Sequence, residues 1–347
     1  MSTRGVAVSN LKISFSLPVL NAARTLERCL ESIRGQDYPQ DDVEILVADG
    51  GSTDETVRIA QRYGARIFDN PARLADQGAK INARHASGAL FIIFAADNEL
   101  GDRRTLSFLS DLFSREPDLA SCWGPMRAGP GDPSLNRYYE LIQNDPLSWF
   151  INRNLKGYLR AARRVSVGGR EVYLFKVDPA RPLIWGANGL TYRTEWVRGI
   201  ITVPEFVGDN DCFQLLMEQG HAAVAYCPSW RTVHHHVETL SGWGHKWRRD
   251  FVRHFLSERK TRNMNWAFDR SFRLKLALWI LYTLFIPASL LHALVLALKD
   301  KRPEWLWHPW ASLVQFGVYA TSVLGTCQGR SFISEGMLHG LHLRKGS

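Results

Sequence analysis

The sequence predicts an α/β protein, a mostly parallel sheet flanked by helices and followed by a C-terminal helical, membrane-associated segment. Three observations carry this. Short β-compatible runs alternate with helically spaced apolar runs over the first hundred residues, acidic clusters close two of the strand patterns, and residues 274–298 form a long apolar stretch.

Taken in order, Ile13 to Leu17 is β-compatible, and Leu26, Cys29, Leu30 and Ile33 then recur at helical spacing. Val43 to Ala48 is a short buried-strand pattern. Ser52-x-x-Glu55 is a capping-box signature for a helix running to about Tyr63, and Arg66 to Phe68 resumes the extended pattern. Two βα units in succession imply parallel strands covered by helices. Asn82 to Ser87 predicts a short helix, and Leu90 to Phe94 a strand that runs into Ala95-Ala96-Asp97-Asn98-Glu99. Ligands of such sheets sit at the carboxyl ends of strands, where Asp49 and Asp97 both fall.

From Ser121 to Pro182 the pattern loosens, with Gly129 to Pro133 as a loop and a basic, partly mobile stretch from Arg153 to Arg170. Order returns at Trp185-Gly186-Ala187-Asn188-Gly189, at a helical pattern within Phe206 to Gly220, and at an aromatic and basic helix over Trp243 to Phe255. Leu274 to Leu298 is long enough for the roughly 30 Å hydrocarbon core, with Pro287 in its middle. A second apolar stretch covers 305–327, where Trp305, Trp307 and Trp310 read as an interfacial belt. Basic residues flank the first stretch on both sides, so two spans and a proline-kinked hairpin re-entering the same face are both open.

The 347 residues divide into an expected larger domain, 1–250, and a helical membrane-associated region, 251–347. A formal charge of +9, from 43 Lys and Arg against 34 Asp and Glu, attracts phosphates of any kind. The basic stretch Lys246 to Lys275 directly precedes the most apolar segment, which favours a membrane surface. A nucleic-acid partner is not expected, because no reading motif is present and such a partner leaves the apolar C-terminus unexplained. Five scattered cysteines without a C-x-x-C pair indicate neither a disulfide framework nor a zinc knuckle. Residues 1–12 lack a signal-like apolar run, so the expected location is the membrane with the first domain cytoplasmic.

Three motifs stand in order: Leu17-Pro18-Val19-Leu20-Asn21, then Val47-Ala48-Asp49-Gly50-Gly51-Ser52-Thr53-Asp54, then Phe94-Ala95-Ala96-Asp97-Asn98-Glu99. On their own, Asp49 and Asp54 read equally as a polar turn and a helix cap, and Asp97 to Glu99 as a solvated loop. As a set they resemble the family 2 glycosyltransferases over about residues 11 to 250. The resemblance implies a GT-A fold and inverting transfer from a UDP- or GDP-sugar, with Mn2+ or Mg2+ neutralising the leaving diphosphate. It implies nucleotide-sugar contacts at Pro18, Asn21, Asp49, Gly50, Asp54, Lys80 and Asp97, with Asp49 accepting from a base N–H. Asp97 is the expected metal ligand. The family pattern has two aspartates flanking one residue, and Ala95 replaces the first; Glu99, on the same side of an extended chain, is the substitute.

Inversion requires a base opposite the leaving group. Gly208-Asp209-Asn210-Asp211 opens a helix ending near Gly220 and resembles the family's E-D motif, with Gly208 in place of its glutamate, which makes Asp209 the expected base. Asn188, Asp211, Lys246 and Arg249 are expected on the acceptor or diphosphate side. His234, first of three consecutive histidines, is the third expected metal ligand. Lys246-Trp247-Arg248-Arg249 stands where membrane polysaccharide synthases carry Q-x-x-R-W and departs from it, which argues for transfer of one or a few sugars. The apolar C-terminus points to a lipid-linked acceptor. The alternative is a degenerate nucleotide-sugar-binding module, signalled by Ala95 and Gly208. A nucleotidyltransferase is disfavoured because Pro18 to Arg24 holds no glycine-rich phosphate loop.

Overall fold

A computed structural model describes residues 10–151, 154–178, 183, 189–201, 209–257 and 270–342. The chain forms two compact units, one drawn from Met1–Gly129 and Arg153–His235, the other from Pro130–Asn152 and His236–Ser347. The helical unit thus takes Pro130–Asn152 and His236–Asp250 in addition to the expected 251–347.

Among the described residues the first unit holds twelve strands: β1 Ile13–Val19, β2 Val43–Asp49, β3 Arg66–Asp69, β4 Leu90–Ile93, β5 Asn98–Leu100, β6 Ser121–Trp123, β7 Met126–Arg127, β8 Arg163–Val167, β9 Arg170–Lys176, β10 Leu190–Arg193, β11 Ala223–Tyr226 and β12 Thr232–His234. Nine of them form one sheet in the order β3-β2-β1-β4-β10-β6-β11-β9-β8, and β5-β12-β7 form a second. The fold is α/β with a large central sheet flanked by helices. Strands β3-β2-β1-β4 are parallel, as the βα succession requires. Beyond β4 the sheet is mixed, because β10 enters antiparallel between β4 and β6 and a hairpin, β8-β9, closes the edge.

Alternate side chains of the buried strands feed two cores. Phe15, Leu17, Ile45 and Val47 pack with Leu26, Cys29, Leu30 and Ile33 of the helix Ala23–Arg34. Leu46 and Phe91, on the opposite pleat, pack with Ala79 and Ala83 of Ala75–His85 and with Phe213 and Leu216 of Asp209–Glu218. Both faces of the central strands are covered, which is why these strands read as continuous apolar runs.

Two local readings are corrected. Ser52 and Glu55 do not form a capping box: the helix starts at Thr56, Glu55 makes no side-chain cap, and the Ser52 hydroxyl donates to Asp49 instead. The Asp54 carboxylate accepts from the Thr56 N–H at 3.0 Å in its place. The loosened pattern over 153–170 holds, among its described residues, the helix Asn154–Ala161 and runs into the β8-β9 hairpin.

Every described element of the second unit is helical. Its centre is aromatic and polar. The buried Tyr138 hydroxyl lies 2.7 Å from His308 Nδ1, and burial, reinforced by His292, drops the His308 pKa to about 3, so this imidazole is neutral. Gln315, also buried, donates to Asp145 Oδ1 at 2.7 Å and accepts from the Leu147 N–H at 3.0 Å.

Among the described residues no single helix is long and apolar enough to cross a membrane. The apolar stretch 274–298 is divided between helices Ser271–Leu284 and Ile286–Asp300, bent by 93°. Phe285, with φ −87° and ψ 76°, leaves the helical region, and Pro287 stands in the first turn of the second arm. The stretch 305–327 holds a short 3-10 turn and the helix His308–Gly325. The tryptophan belt is corrected in part: Trp305 is buried and donates to Asp300 at 2.9 Å, Trp307 donates to Ser134 at 3.0 Å, and Trp310 is exposed.

Candidate active site

Two acidic clusters follow β2 and β4, the strands on either side of β1 in the sheet of the first unit. At the end of β2 the chain turns through Gly50 and Gly51, with Gly51 at φ +81°. Gly50 does not take a positive φ; its N–H donates to the Val19 carbonyl at 2.8 Å, joining the ends of β1 and β2. The Asp49 carboxylate is held by its own turn, accepting from the Gly51 N–H at 3.1 Å and the Ser52 N–H at 3.0 Å. It remains partly exposed.

The β1 end is tied to the same turn. Asn21, itself at φ 51°, donates its N–H to Ser52 Oγ at 2.9 Å and accepts the Thr53 N–H on Oδ1 at 2.8 Å. Asp54 accepts from Thr56 and from the Ala23 N–H at 3.1 Å, so one carboxylate starts two helices. The Thr56 hydroxyl bond, followed by the backbone N–H bonds, holds the Asp54 carboxyl below its ordinary range. Asp54 thus holds the first N–H of each of two helices. Pro18 lies on β1 in register with Ala48 of β2.

The second cluster follows β4. Antiparallel pairing of β5 with β12 sets Asn98 opposite His234 and Glu99 opposite Val233. His234 is buried, with Nε2 3.5 Å from Asp97 Oδ1, and Asp97 is partly exposed. The Asp97 carbonyl accepts the His235 N–H at 3.0 Å. Glu99 does not share Asp97's histidine: its Oε1 lies 2.8 Å from His235 Nε2 and 3.6 Å from the Arg28 guanidinium. Gly129 lies against the His235 ring so closely that a Cβ there would collide with Cε1, and this packing fixes the imidazole. The pairing of His235 with Glu99 had no counterpart in the sequence reading.

Beneath this cluster, Cys29 Sγ lies 3.6 Å from the Ala95 carbonyl. Burial, then the charges of Asp97 and Glu99, push its thiol well above the ordinary range, so it is an inert core group. Asn98 is fully buried, and neither its amide nitrogen nor its oxygen has a hydrogen-bond partner.

The other expected site residues, Asn188 aside, lie on helices of the first unit or in the second unit. Lys80 is buried on the helix Ala75–His85, whose Asn82 amide donates to Ser16 Oγ at 3.0 Å. Asp211 is buried in the helix Asp209–Glu218. Asp209 is the first residue of that helix, and its side chain lies outside the described set, as does the whole of Asn188. In the second unit, Lys246 Nζ lies 3.1 Å from His236 Nδ1, and the His236 ring stacks on Tyr139 at 4.6 Å. Arg249, in the last turn of the helix Leu240–Asp250, pairs with Asp250 at 2.9 Å.

Donor chemistry fits a divalent cation at Asp97 and His234, since a carboxylate oxygen and an imidazole nitrogen face each other there. Among the described residues no imidazole or thiol is recorded at the Asp49 turn, whose acids accept from backbone N–H groups and hydroxyls.

Residues 14–175 match the family model "Glycosyl transferase family 2". Among curated proteins, the chain is similar to a dolichyl N-acetyl-alpha-D-glucosaminyl phosphate 3-beta-D-2,3-diacetamido-2,3-dideoxy-beta-D-glucuronosyltransferase of Methanococcus voltae. The two are 33% identical over 91 residues, which is 24% of this chain and 28% of the relative. It is also similar to the abequosyltransferase RfbV of Salmonella typhimurium, 27% identical over 169 residues, 47% of this chain and 50% of the relative. The chain thus spans half or less of the length of these relatives. Among solved structures, a mannosyltransferase, PcManGT from Pyrobaculum calidifontis, described in complex with GDP-Man and Mn2+, aligns over 95% of this chain and 81% of its own, at 16% identity and a TM-score of 0.49.

Proposed function

We propose, from the premise that this chain belongs to glycosyl transferase family 2 through its residues 14–175, that it transfers a sugar with inversion from a nucleotide-sugar donor to a lipid-linked acceptor at a membrane surface. The observation that carries the reading is the pair of acidic clusters closing β2 and β4, with Asp97 facing a buried imidazole. In this reading Asp49 receives the nucleotide base through whatever acceptor capacity its own turn leaves, and Pro18, Asn21, Gly50 and Lys80 shape the nucleotide's surroundings.

Asp97 and His234 are the proposed ligands of a divalent cation, which when bound supplies Lewis-acid neutralisation of the departing diphosphate. An imidazole beside the carboxylate favours Mn2+ over Mg2+, because magnesium prefers an all-oxygen shell. Glu99 acts at one remove, through His235, whose N–H is bonded to the Asp97 carbonyl.

Asp209 is the proposed base. It would take the acceptor hydroxyl proton as that oxygen attacks the anomeric carbon from the face opposite the leaving diphosphate. Asp209 is the first residue of the helix Asp209–Glu218. Asn188 and Asp211 are assigned to the acceptor side and Lys246 and Arg249 to phosphate. The word dolichyl in the name of the Methanococcus voltae relative supports a lipid-linked acceptor. So does the exposed apolar surface of the bent helix pair. Membrane attachment with the sheet unit on the cytoplasmic side completes the reading.

The test is a donor screen in membranes with Mn2+, followed by mass analysis of the lipid fraction, for the parent protein and Asp209→Asn. The parent is expected to add one or a few sugars, and Asp209→Asn to bind donor without transfer. Near-normal transfer by Asp209→Asn would eliminate it as the base. Nucleotide binding by the parent without release of nucleotide from any donor would favour a degenerate binding module.

A further inference from the structure

We propose that the bent helix pair Ser271–Leu284 and Ile286–Asp300 seats the protein in a single leaflet of an anionic lipid bilayer, with both ends of the pair at headgroup level on the same face. The inference rests on the reading that the protein works at a membrane surface and specifies how it is held there.

Length and shape come first. Each arm has at most 15 residues, and a rise of 1.5 Å per residue makes it about 22 Å long, short of the roughly 30 Å hydrocarbon core. Straightened, the two arms would span. Three features hold the bend instead: the non-helical Phe285, Pro287 in the first turn of the second arm, and a 3.0 Å hydrogen bond from Tyr282 Oη to His292 Nδ1 that ties one arm to the other. Trp149 packs near His292 and Phe150 near Tyr282, so the tie is backed by side chains of the same unit.

Sidedness comes next. Trp279 and Thr283 of the first arm and Ser289 and Ala293 of the second are buried. The opposite faces are exposed and apolar: Leu274 is 62% exposed, Leu281 65%, Phe285 63%, Leu291 63% and Leu298 79%. An apolar surface continuous along both arms and around the elbow exceeds what a water-facing monomer tolerates. No Asp, Glu, Lys or Arg occurs between Lys275 and Lys299.

Charge then selects the occupant. Arg273 and Lys275 stand at the outer end of the first arm, and Lys299 and Lys301 at the outer end of the second. Asp300 accepts from Trp305, and Arg302 is paired with Glu140 and Glu304, so the acids of this region are already engaged. Cations at both ends of an uncharged elbow complement the phosphates of one leaflet. A crossing segment would carry one of these ends through the hydrocarbon.

The experiment uses the full chain with vesicles of phosphatidylcholine, alone or with phosphatidylglycerol, and scores flotation. The protein is expected to float with the phosphatidylglycerol vesicles and to lose binding as salt is raised. Leu281→Glu with Leu291→Glu should lower the bound fraction more than about tenfold, since two leucines that enter the lipid become charged, with an unchanged thermal transition. Single cysteines at Arg273→Cys and Lys301→Cys, with the exposed Cys327→Ser, are then tested with a membrane-impermeant maleimide added outside sealed vesicles. Both should react without opening the vesicles. Protection of either until detergent is added would establish a crossing and overturn the proposal. It would also be overturned by equal binding to neutral vesicles, by unimpaired binding of the double variant, or by a dimer that the double variant disperses with no vesicle binding. None of these readouts uses a sugar donor, so failure of the glycosyltransferase reading is separately visible.

Discussion

The turn after β2 and the segment after β4 carry the same kind of residue at the same end of one sheet, yet their carboxylates have different company. Asp49 and Asp54 are met by backbone N–H groups and hydroxyls of their own or an adjacent turn. Asp97 and Glu99 are met by imidazoles from a strand more than a hundred residues further along. Local hydrogen bonds stabilise a shape, and they leave such a carboxylate competent to accept from a ligand N–H without inviting a cation. A carboxylate facing an imidazole presents two different lone-pair donors to the same space, a mixed set that first-row transition ions accept more readily than magnesium does. In the proposed reading, the same acidic residue type is scaffold and base-reader in one cluster, and metal ligand in the other.

The sharpest way to break this comparison is Asp97→Ala. If the β4 cluster holds the metal, transfer should fall by about a thousandfold or more, the scale of losing a preorganised charge at the reacting diphosphate. The thermal transition should stay in place, because Asp97 is partly exposed. Chelation should produce the same loss in the parent, reversed by Mn2+. Activity in Asp97→Ala that still depended on Mn2+ would move the metal elsewhere.

Asp49→Ala addresses the other cluster. The expected change is a rise in donor KM of about tenfold to a hundredfold, with kcat largely kept, which is the range for losing a hydrogen bond to a charged group in substrate binding. A loss confined to kcat would mean that Asp49 acts on the reacting centre and that the two clusters are not distinct in role.

Glu99→Gln distinguishes a ligand from a residue that orients one. Because Glu99 holds His235 and leaves His234 to Asp97, the expected effect is about a tenfold weaker apparent affinity for Mn2+, with activity restored at saturating metal. Failure of excess Mn2+ to restore turnover would return Glu99 to the ligand set.

How much of this was legible in the chain follows from the range of the forces involved. β1, β2 and β4 read clearly because a strand covered on both faces is an uninterrupted apolar run, and Asp49 and Asp97 stood out because they end such runs. The β8-β9 hairpin was obscured by its arginines, although Val167-Gly168-Gly169-Arg170 carried a turn signal: both glycines take positive φ, 55° and 77°, as a two-residue hairpin turn requires. The division of labour between His234 and His235 had no local signal at all. It depends on the register in which β12 meets β5, and a shift of one residue would turn each side chain of β12 to the other face. The membership of Pro130–Asn152 in the helical unit was hidden for a similar reason, since contacts such as Tyr138 with His308 span most of the second half of the chain.

The smallest expected effect is the one that tests the scaffold role most directly. Asp54 joins the start of the helix Thr56–Arg62 to the Ala23 N–H, and its carboxyl is held below the ordinary range chiefly by the Thr56 hydroxyl. A carboxyl with a lowered folded pKa stabilises the fold above its unfolded pKa, about 3.9, and that contribution fades as pH falls through the folded value. Asp54→Asn should therefore lower the melting temperature at neutral pH, and the gap from the parent should close in acid. Donor KM should be unchanged. A pH-independent gap would mean that the ionised carboxylate is not what caps the helix, and a raised donor KM would move Asp54 from the scaffold to the nucleotide.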